Sequence, residues 1–197
     1  TRKPFLSLVN GQFYSSMYQK KINKKSKNWT PKILRIENTN ICNAKCVMCP
    51  HTIMKRKQKV MSVGDFKKIL DNSAMYDLKR ITMSGFGEPL IDKGIIEKIK
   101  YVNEKYPKLK VDIFTNASLL NKELTEELLK LKLGRVTFSI NGDEKNYKKI
   151  MGLDYNKTRE NVLYFLKRKK ELKNPVLANV SSMLLKDNEK EAEEFIR

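Results

Sequence analysis

Ile33-Leu34-Arg35-Ile36-Glu37-Asn38-Thr39-Asn40-Ile41-Cys42-Asn43-Ala44-Lys45-Cys46-Val47-Met48-Cys49-Pro50 joins a strand pattern to a loop that carries all three cysteines of the 197-residue chain. Residues 33–37 are rich in branched apolar side chains and read as a first strand. Thiolates bunched on one loop are the ligand set for a soft metal centre. An odd number so close together is a poor disulfide framework. Cys42-x3-Cys46-x2-Cys49 supplies three corners of an iron–sulfur cube, whereas a four-iron cluster normally takes four cysteines. One iron would keep an open position for a group that is not protein. The alternative is zinc with His51 as fourth ligand, although structural zinc usually takes two ligand pairs with a longer spacer between them.

Beyond this segment, strands and helices alternate. Ser62, with Asp65 three residues on, caps a helix through Phe66, Ile69 and Leu70. Arg80–Ser84 reads as a second strand and Ile95–Tyr101 as a helix. Lys110–Thr115 is a third strand and Leu119–Leu131 a helix, with Gly134 as its C-terminal stop. Arg135–Ile140 is a fourth strand, Thr158–Leu172 a helix and Pro175–Leu184 a fifth strand; Asp187 opens another helix. Strict alternation of this kind implies an α/β fold with a parallel sheet. Closed βα barrels carry their sites at the carboxyl ends of the strands, where the cysteine loop falls. Ahead of the first strand, Phe5, Val9, Phe13 and Met17 recur at four-residue steps, as in an amphipathic helix over 5–22. A basic block, Lys20-Lys21-Ile22-Asn23-Lys24-Lys25-Ser26-Lys27, then links it to the rest, so residues 1–30 are expected to be separate from a core of 31–197.

The cysteine spacing resembles the signature of the radical S-adenosylmethionine (SAM) superfamily, and three further segments agree with it. Ser84-Gly85-Phe86-Gly87-Glu88-Pro89 is similar to that family's Gly-Gly-Glu-Pro segment, with Phe86 in place of a glycine. Thr115-Asn116-Ala117 resembles its Thr-Asn-Gly, and Ser139-Ile140-Asn141-Gly142 its Ser-x-Asp-Gly. The resemblance implies a partial (β/α)6 TIM-like barrel, of which five strands are present before the sequence stops on a helix. It implies a 4Fe-4S cluster on Cys42, Cys46 and Cys49, and SAM bound at the open iron. Gly85, Gly87 and Glu88 would then form the loop at the SAM amino group. Ser139 and Asn116 would contact the ribose or methionyl part, and Met48 the adenine. Ser181-Ser182-Met183 would line the adenine pocket. Arg159 and Lys149 are weighed as partners of the SAM carboxylate, against solvated helix cations. Asn141-Gly142 reads as a turn. Met48-Cys49-Pro50-His51 and Lys55-Arg56-Lys57…Met61 resemble the subgroup with a C-terminal SPASM or Twitch extension. His51 is expected to shape the loop or to hydrogen-bond near the cluster.

The implied activity is reductive cleavage of SAM to a 5′-deoxyadenosyl radical that takes hydrogen from a substrate, an oxidoreductase-type chemistry driven by a ferredoxin or flavodoxin. The substrate classes in view are a peptide or protein, a sugar or aminocyclitol, and RNA. The net charge of +19, from 41 basic and 22 acidic residues, is the one hint of RNA. Lys dominates over Arg, so a solvated surface is the simpler account. A zinc-stabilised binding module is the non-enzyme alternative. No apolar run approaches the length of a membrane span, and no secretory signal stands at the start. Thiolates kept for a cluster need a reducing compartment, which places the protein in the cytoplasm.

Overall fold

The computed structural model describes residues 30–186, 188 and 189. The chain divides into the units Thr1–Pro31 and Lys32–Arg197, and the first lies almost wholly outside the described residues. So do the amphipathic helix expected over 5–22, the basic block, and the helix expected from Asp187 onward.

Strands β1 (Ile33–Ile36), β2 (Arg80–Met83), β3 (Lys110–Thr115), β4 (Leu133–Ser139) and β5 (Leu177–Ser181) form one sheet in the order β1-β2-β3-β4-β5. Every neighbouring pair is parallel. Between them run α1 (Val63–Asn72), α2 (Ile95–Lys105), α3 (Lys122–Leu129), α4 (Tyr147–Met151) and α5 (Tyr155–Glu171). Parallel crossovers are right-handed, and the strands add in one direction only. Every long helix therefore falls on the same side of the sheet, the winding of a barrel rather than of a doubly wound sheet.

The buried side chains agree. Phe66 and Leu70 of α1, Ile95, Ile99 and Val102 of α2, Leu128 and Leu129 of α3, and Val162 and Phe165 of α5 form a single core with one face of the strands. That face presents Ile36, Ile81, Met83, Val111, Ile113, Val136 and Phe138. Phe138 meets Phe165 edge-on at 5.4 Å, a favoured aromatic geometry. Since side chains alternate across a strand, Arg35, Thr82, Asp112, Phe114, Thr137 and Ser139 belong to the opposite, inner face.

Caps place the helices. The Ser62 hydroxyl accepts from Asp65 N at 3.0 Å and starts α1, as expected. Asn121 and Asp154 do the same for α3 and α5. Two expectations change. Gly134 does not end a helix: α3 stops at Leu129, with Lys130 as its cap, and Gly134 lies inside β4. There the register slips against Val111/Asp112. A β carbon at Gly134 would stand 2.7 Å from an Asp112 carboxylate oxygen, so the extra residue of this bulge must be the smallest one. The second change is α4, a five-residue helix that no hydrophobic period announced.

Candidate metal and cofactor site

Cys42, Cys46 and Cys49 sit half-buried on the loop that leaves the carboxyl end of β1. The loop is closed at its base. Thr39 bridges Val60 in antiparallel fashion. Asn40 N donates to Lys59 O and Met61 N to Asn38 O. The Asn40 side chain completes the clasp, accepting from Lys59 N at 2.7 Å and donating to Lys57 O. Beneath it lies a buried ion pair, Lys98–Asp92 at 2.6 Å. Lys98 Nζ also donates to Met61 O, and Asp92 accepts from the Asn38 amide. One ion pair thus grips both ends of the cysteine-bearing loop.

The loop's tip is held from another direction. Lys45 N donates to Met151 O and Val47 N to Ile150 O, so the last carbonyls of α4, which a helix leaves unpaired, serve the loop. Gly152 follows with a left-handed φ of 67°, and a β carbon there would meet Lys45 at 3.1 Å. Cys46 Sγ lies 3.4 Å from Met151 Sδ. Cys46 and Met48 both pack on the Tyr147–Ile150–Met151 cluster. Burial pushes the Cys42 thiol up. Burial and the two neighbouring cysteines push Cys46 up to about 11.

Residues from the ends of β2 and β3 meet the loop from the side. Glu88 is buried. One of its oxygens accepts from the Thr115 hydroxyl at 2.6 Å and from Leu90 N; the other accepts from Asn116 N at 2.7 Å. Burial pushes its carboxyl pKa up, and these three donors pull it back. Asn116 continues the network, donating to the Asn43 side chain, which donates to Ser118. Ala117, where the resembled segment has glycine, takes a left-handed φ of 59°. Glu88 and Asn116 are therefore the braces that tie the cysteine loop to β3.

The two glycines differ. A β carbon on Gly87 would stand 2.1 Å from the Thr39 carbonyl oxygen, a backbone atom that cannot swing away. On Gly85 it would meet the Glu37 side chain, whose carboxylate accepts from Phe86 N and pairs with Arg56. Gly87→Ala is expected to cost about 3 kcal/mol and Gly85→Ala closer to 1 kcal/mol, read as urea midpoints of the two variants. Equal losses would show that the chain relaxes around Thr39.

His51 Nε2 donates to Asn40 O at 2.9 Å, shaping the loop beside the cysteines. The Ser139 side chain makes no hydrogen bond among the described residues, and in the register it faces Ser181. Asn141 is more than a turn residue: it is buried, accepts from Met183 N at 2.7 Å and donates to Met151 Sδ. It thereby joins the ends of β4 and β5 to α4. Arg159 lines a polar cleft of about 540 Å³ with Asp143, Glu144, Lys145, Tyr155 and Asn156. Asn43, Met151 and the Lys98–Asp92 pair are site-building residues without a role in the sequence reading, and Asn141 was read there only as a turn. Asn43, inside the cysteine motif, and Asn141, inside the segment after β4, carried local signals.

A sequence model of the radical SAM superfamily matches residues 36–197. The chain belongs to that superfamily. It is 29% identical over 162 residues to a GTP 3′,8-cyclase of Clostridium perfringens, covering 80% of this chain and 48% of the relative. It is 32% identical over 110 residues to a tungsten-containing aldehyde ferredoxin oxidoreductase cofactor-modifying protein of Pyrococcus furiosus, covering 55% and 30%. The chain spans about half the length of the first of these curated relatives, or less. Among solved structures, Streptococcus suis SuiB bound to S-adenosylmethionine superposes with a TM-score of 0.67 at 23% identity, over 96% of this chain and 44% of that one. Native anSMEcpe with bound AdoMet gives 0.62 at 20%, over 82% and 46%. These likenesses show a shared fold.

Radical SAM enzymes bind a 4Fe-4S cluster and SAM. The donor set here fits the cluster. Three thiols and no carboxylate stand on one clasped loop, the soft set that iron–sulfur centres use. Among the described residues, no three His, Cys, Asp or Glu side chains converge on a single ion. A cubane needs no such convergence, since each thiolate takes a different iron.

Proposed function

We propose that Cys42, Cys46 and Cys49 hold the 4Fe-4S cluster of a radical SAM enzyme, and that SAM lies between the cysteine loop and the ends of β2, β3 and β4. When bound, the cluster supplies one electron for cleaving SAM, and the nucleoside released takes hydrogen from the substrate. The chain's own residues hold and orient. Glu88, Asn116 and Asn43 fix the cysteine loop against β3. Gly87 lets the β2 loop touch the backbone of Thr39. Gly85 and Ser139, with no bulky or committed side-chain group, offer backbone and hydroxyl contacts to SAM. Met48 serves as an apolar wall near the adenine while its stem packs on α4. The observation that carries this reading is the clasped three-thiol loop at the carboxyl end of β1, braced from β3.

The same reading makes residues 1–30 an amphipathic helix and basic arm outside the core of 31–197, and places the enzyme with a ferredoxin or flavodoxin donor in the reducing cytoplasm. It assigns the protein to the subgroup that carries SPASM or Twitch extensions. No helix among the described residues is long and apolar enough to cross a membrane. The substrate would sit on the inner face of the sheet. Peptide is one class in view, since SuiB is known bound to a precursor peptide. A small sugar-like molecule is another, BtrN being known with AdoMet and 2-DOIA.

The test is anaerobic reconstitution with iron and sulfide, followed by dithionite and SAM. A brown protein holding iron and sulfide, and releasing 5′-deoxyadenosine, is expected. A colourless protein, or a cluster whose spectrum ignores SAM, would overturn the assignment.

A further inference from the structure

The inner face of the sheet carries more positive charge than the described residues neutralise. The register puts Arg35, Thr82, Asp112 and Arg135 in one transverse row across β1 to β4. Asp112 is the sole carboxylate of the row and is already taken: Arg80 Nη1 donates to both of its oxygens at 2.6 Å. Glu37, two residues beyond Arg35 on the same face, is taken by Arg56. Among the described residues the side chains of Arg35 and Arg135 have neither hydrogen bond nor ion pair; Arg35 is exposed, whereas Arg135 is half-buried and its Nε is buried without a partner. A buried donor left unpaired is unfavourable and rare.

Arg135 faces inward because of the bulge. Leu133 and Val136 both belong to the helix-side core, an odd spacing for a regular strand. The register slip at Gly134 sets Gly134 and Arg135 together opposite Asp112, and bulges near active sites commonly re-aim a side chain in this way. The hydroxyls of Thr82, Ser84, Thr137, Ser139 and Ser181 lie on this same face, and none has a hydrogen-bond partner among the described residues. Arg135 lies four residues before Ser139 on β4, about 13 Å deeper along the strand. A molecule reaching from the SAM end into the barrel would meet it.

We infer that Arg135, flanked by Arg35, is the oxyanion-binding end of the substrate site, so that the substrate carries a carboxylate or phosphate group held by a guanidinium fork. This rests on the inner face being the substrate chamber of the radical SAM reading, yet its test needs neither cluster nor SAM. Failure of anion binding and failure to release 5′-deoxyadenosine are separate results.

Equilibrium dialysis of the full chain against inorganic phosphate and against succinate, at matched ionic strength, reads it directly. One of the two is expected to bind saturably, phosphate marking a phosphorylated substrate and succinate a carboxylate. Arg135→Gln should weaken that binding at least tenfold, Arg35→Gln by less, and the exposed pair Lys100→Gln/Lys170→Gln not at all. Arg135→Lys keeps the charge without the fork and should weaken it several-fold, which covers the case in which Arg135→Gln fails to fold. Absence of saturable binding to either anion overturns the proposal. So does affinity unchanged in the Arg135 variants, or lowered as much by the lysine pair.

Discussion

Cys42→Ala, Cys46→Ala and Cys49→Ala are each expected to yield a folded, colourless protein that releases no 5′-deoxyadenosine above background. Three thiolates are the whole protein share of the proposed cluster, so removing one leaves two ligands where four-iron clusters take four, one of them here supplied from outside the chain. The loop itself does not depend on the sulfurs. Its shape is set by backbone bonds to Met151, Ile150 and Lys59 and by the Asn40 and Asn43 side chains. Stability of the metal-free variants should therefore stay within about 1 kcal/mol of the metal-free parent, with Cys46→Ala lowest because its sulfur packs on Met151. Iron and sulfide content, visible absorption and circular dichroism check the three statements together. A variant that kept iron and cleaved SAM would remove that cysteine from the ligand set.

The second large effect lies away from the sulfurs. Lys98→Met is expected to cost about 4 kcal/mol, because removing one partner of a buried pair strands the other charge. Both side chains are essentially inaccessible, at 0% and 2% exposure. Asp92 would keep only Asn38 and Gly94 as donors, and Met61 O would lose its bond. Since those groups are the base of the cysteine loop, the reconstituted variant should also lose iron faster under chelator. Lys98→Met/Asp92→Asn removes the stranded charge and should recover part of the stability. Denaturant midpoints of the three proteins decide it. A Lys98→Met protein as stable as the parent would mean that water reaches Asp92.

What was legible in the chain was local. The five strands announce themselves through runs such as Val111-Asp112-Ile113-Phe114 and Val136-Thr137-Phe138, and caps such as Ser62 and Asp154 act within three residues of themselves. α4 was not legible. Tyr147-Lys148-Lys149-Ile150-Met151 is too short to show a period, and it is fixed by the loop that its carbonyls receive. Gly134 reads locally as a helix stop, and the structure places it at a bulge inside β4 instead. The choice falls to Asp112, far away in sequence, whose carboxylate leaves no room for a β carbon.

Residue type and spacing alone specify a parallel α/β chain with a three-thiol loop at the carboxyl end of its first strand. Those features are written in residue type and period, which need no distant partner. The bracing of the loop by Glu88 and Asn116, the clamp of Lys98 and Asp92 at its base, and the inward turn of Arg135 arise from the folded arrangement. Each depends on a close approach between segments separated by tens of residues, where burial and hydrogen bonding act through space and leave no mark in the local sequence.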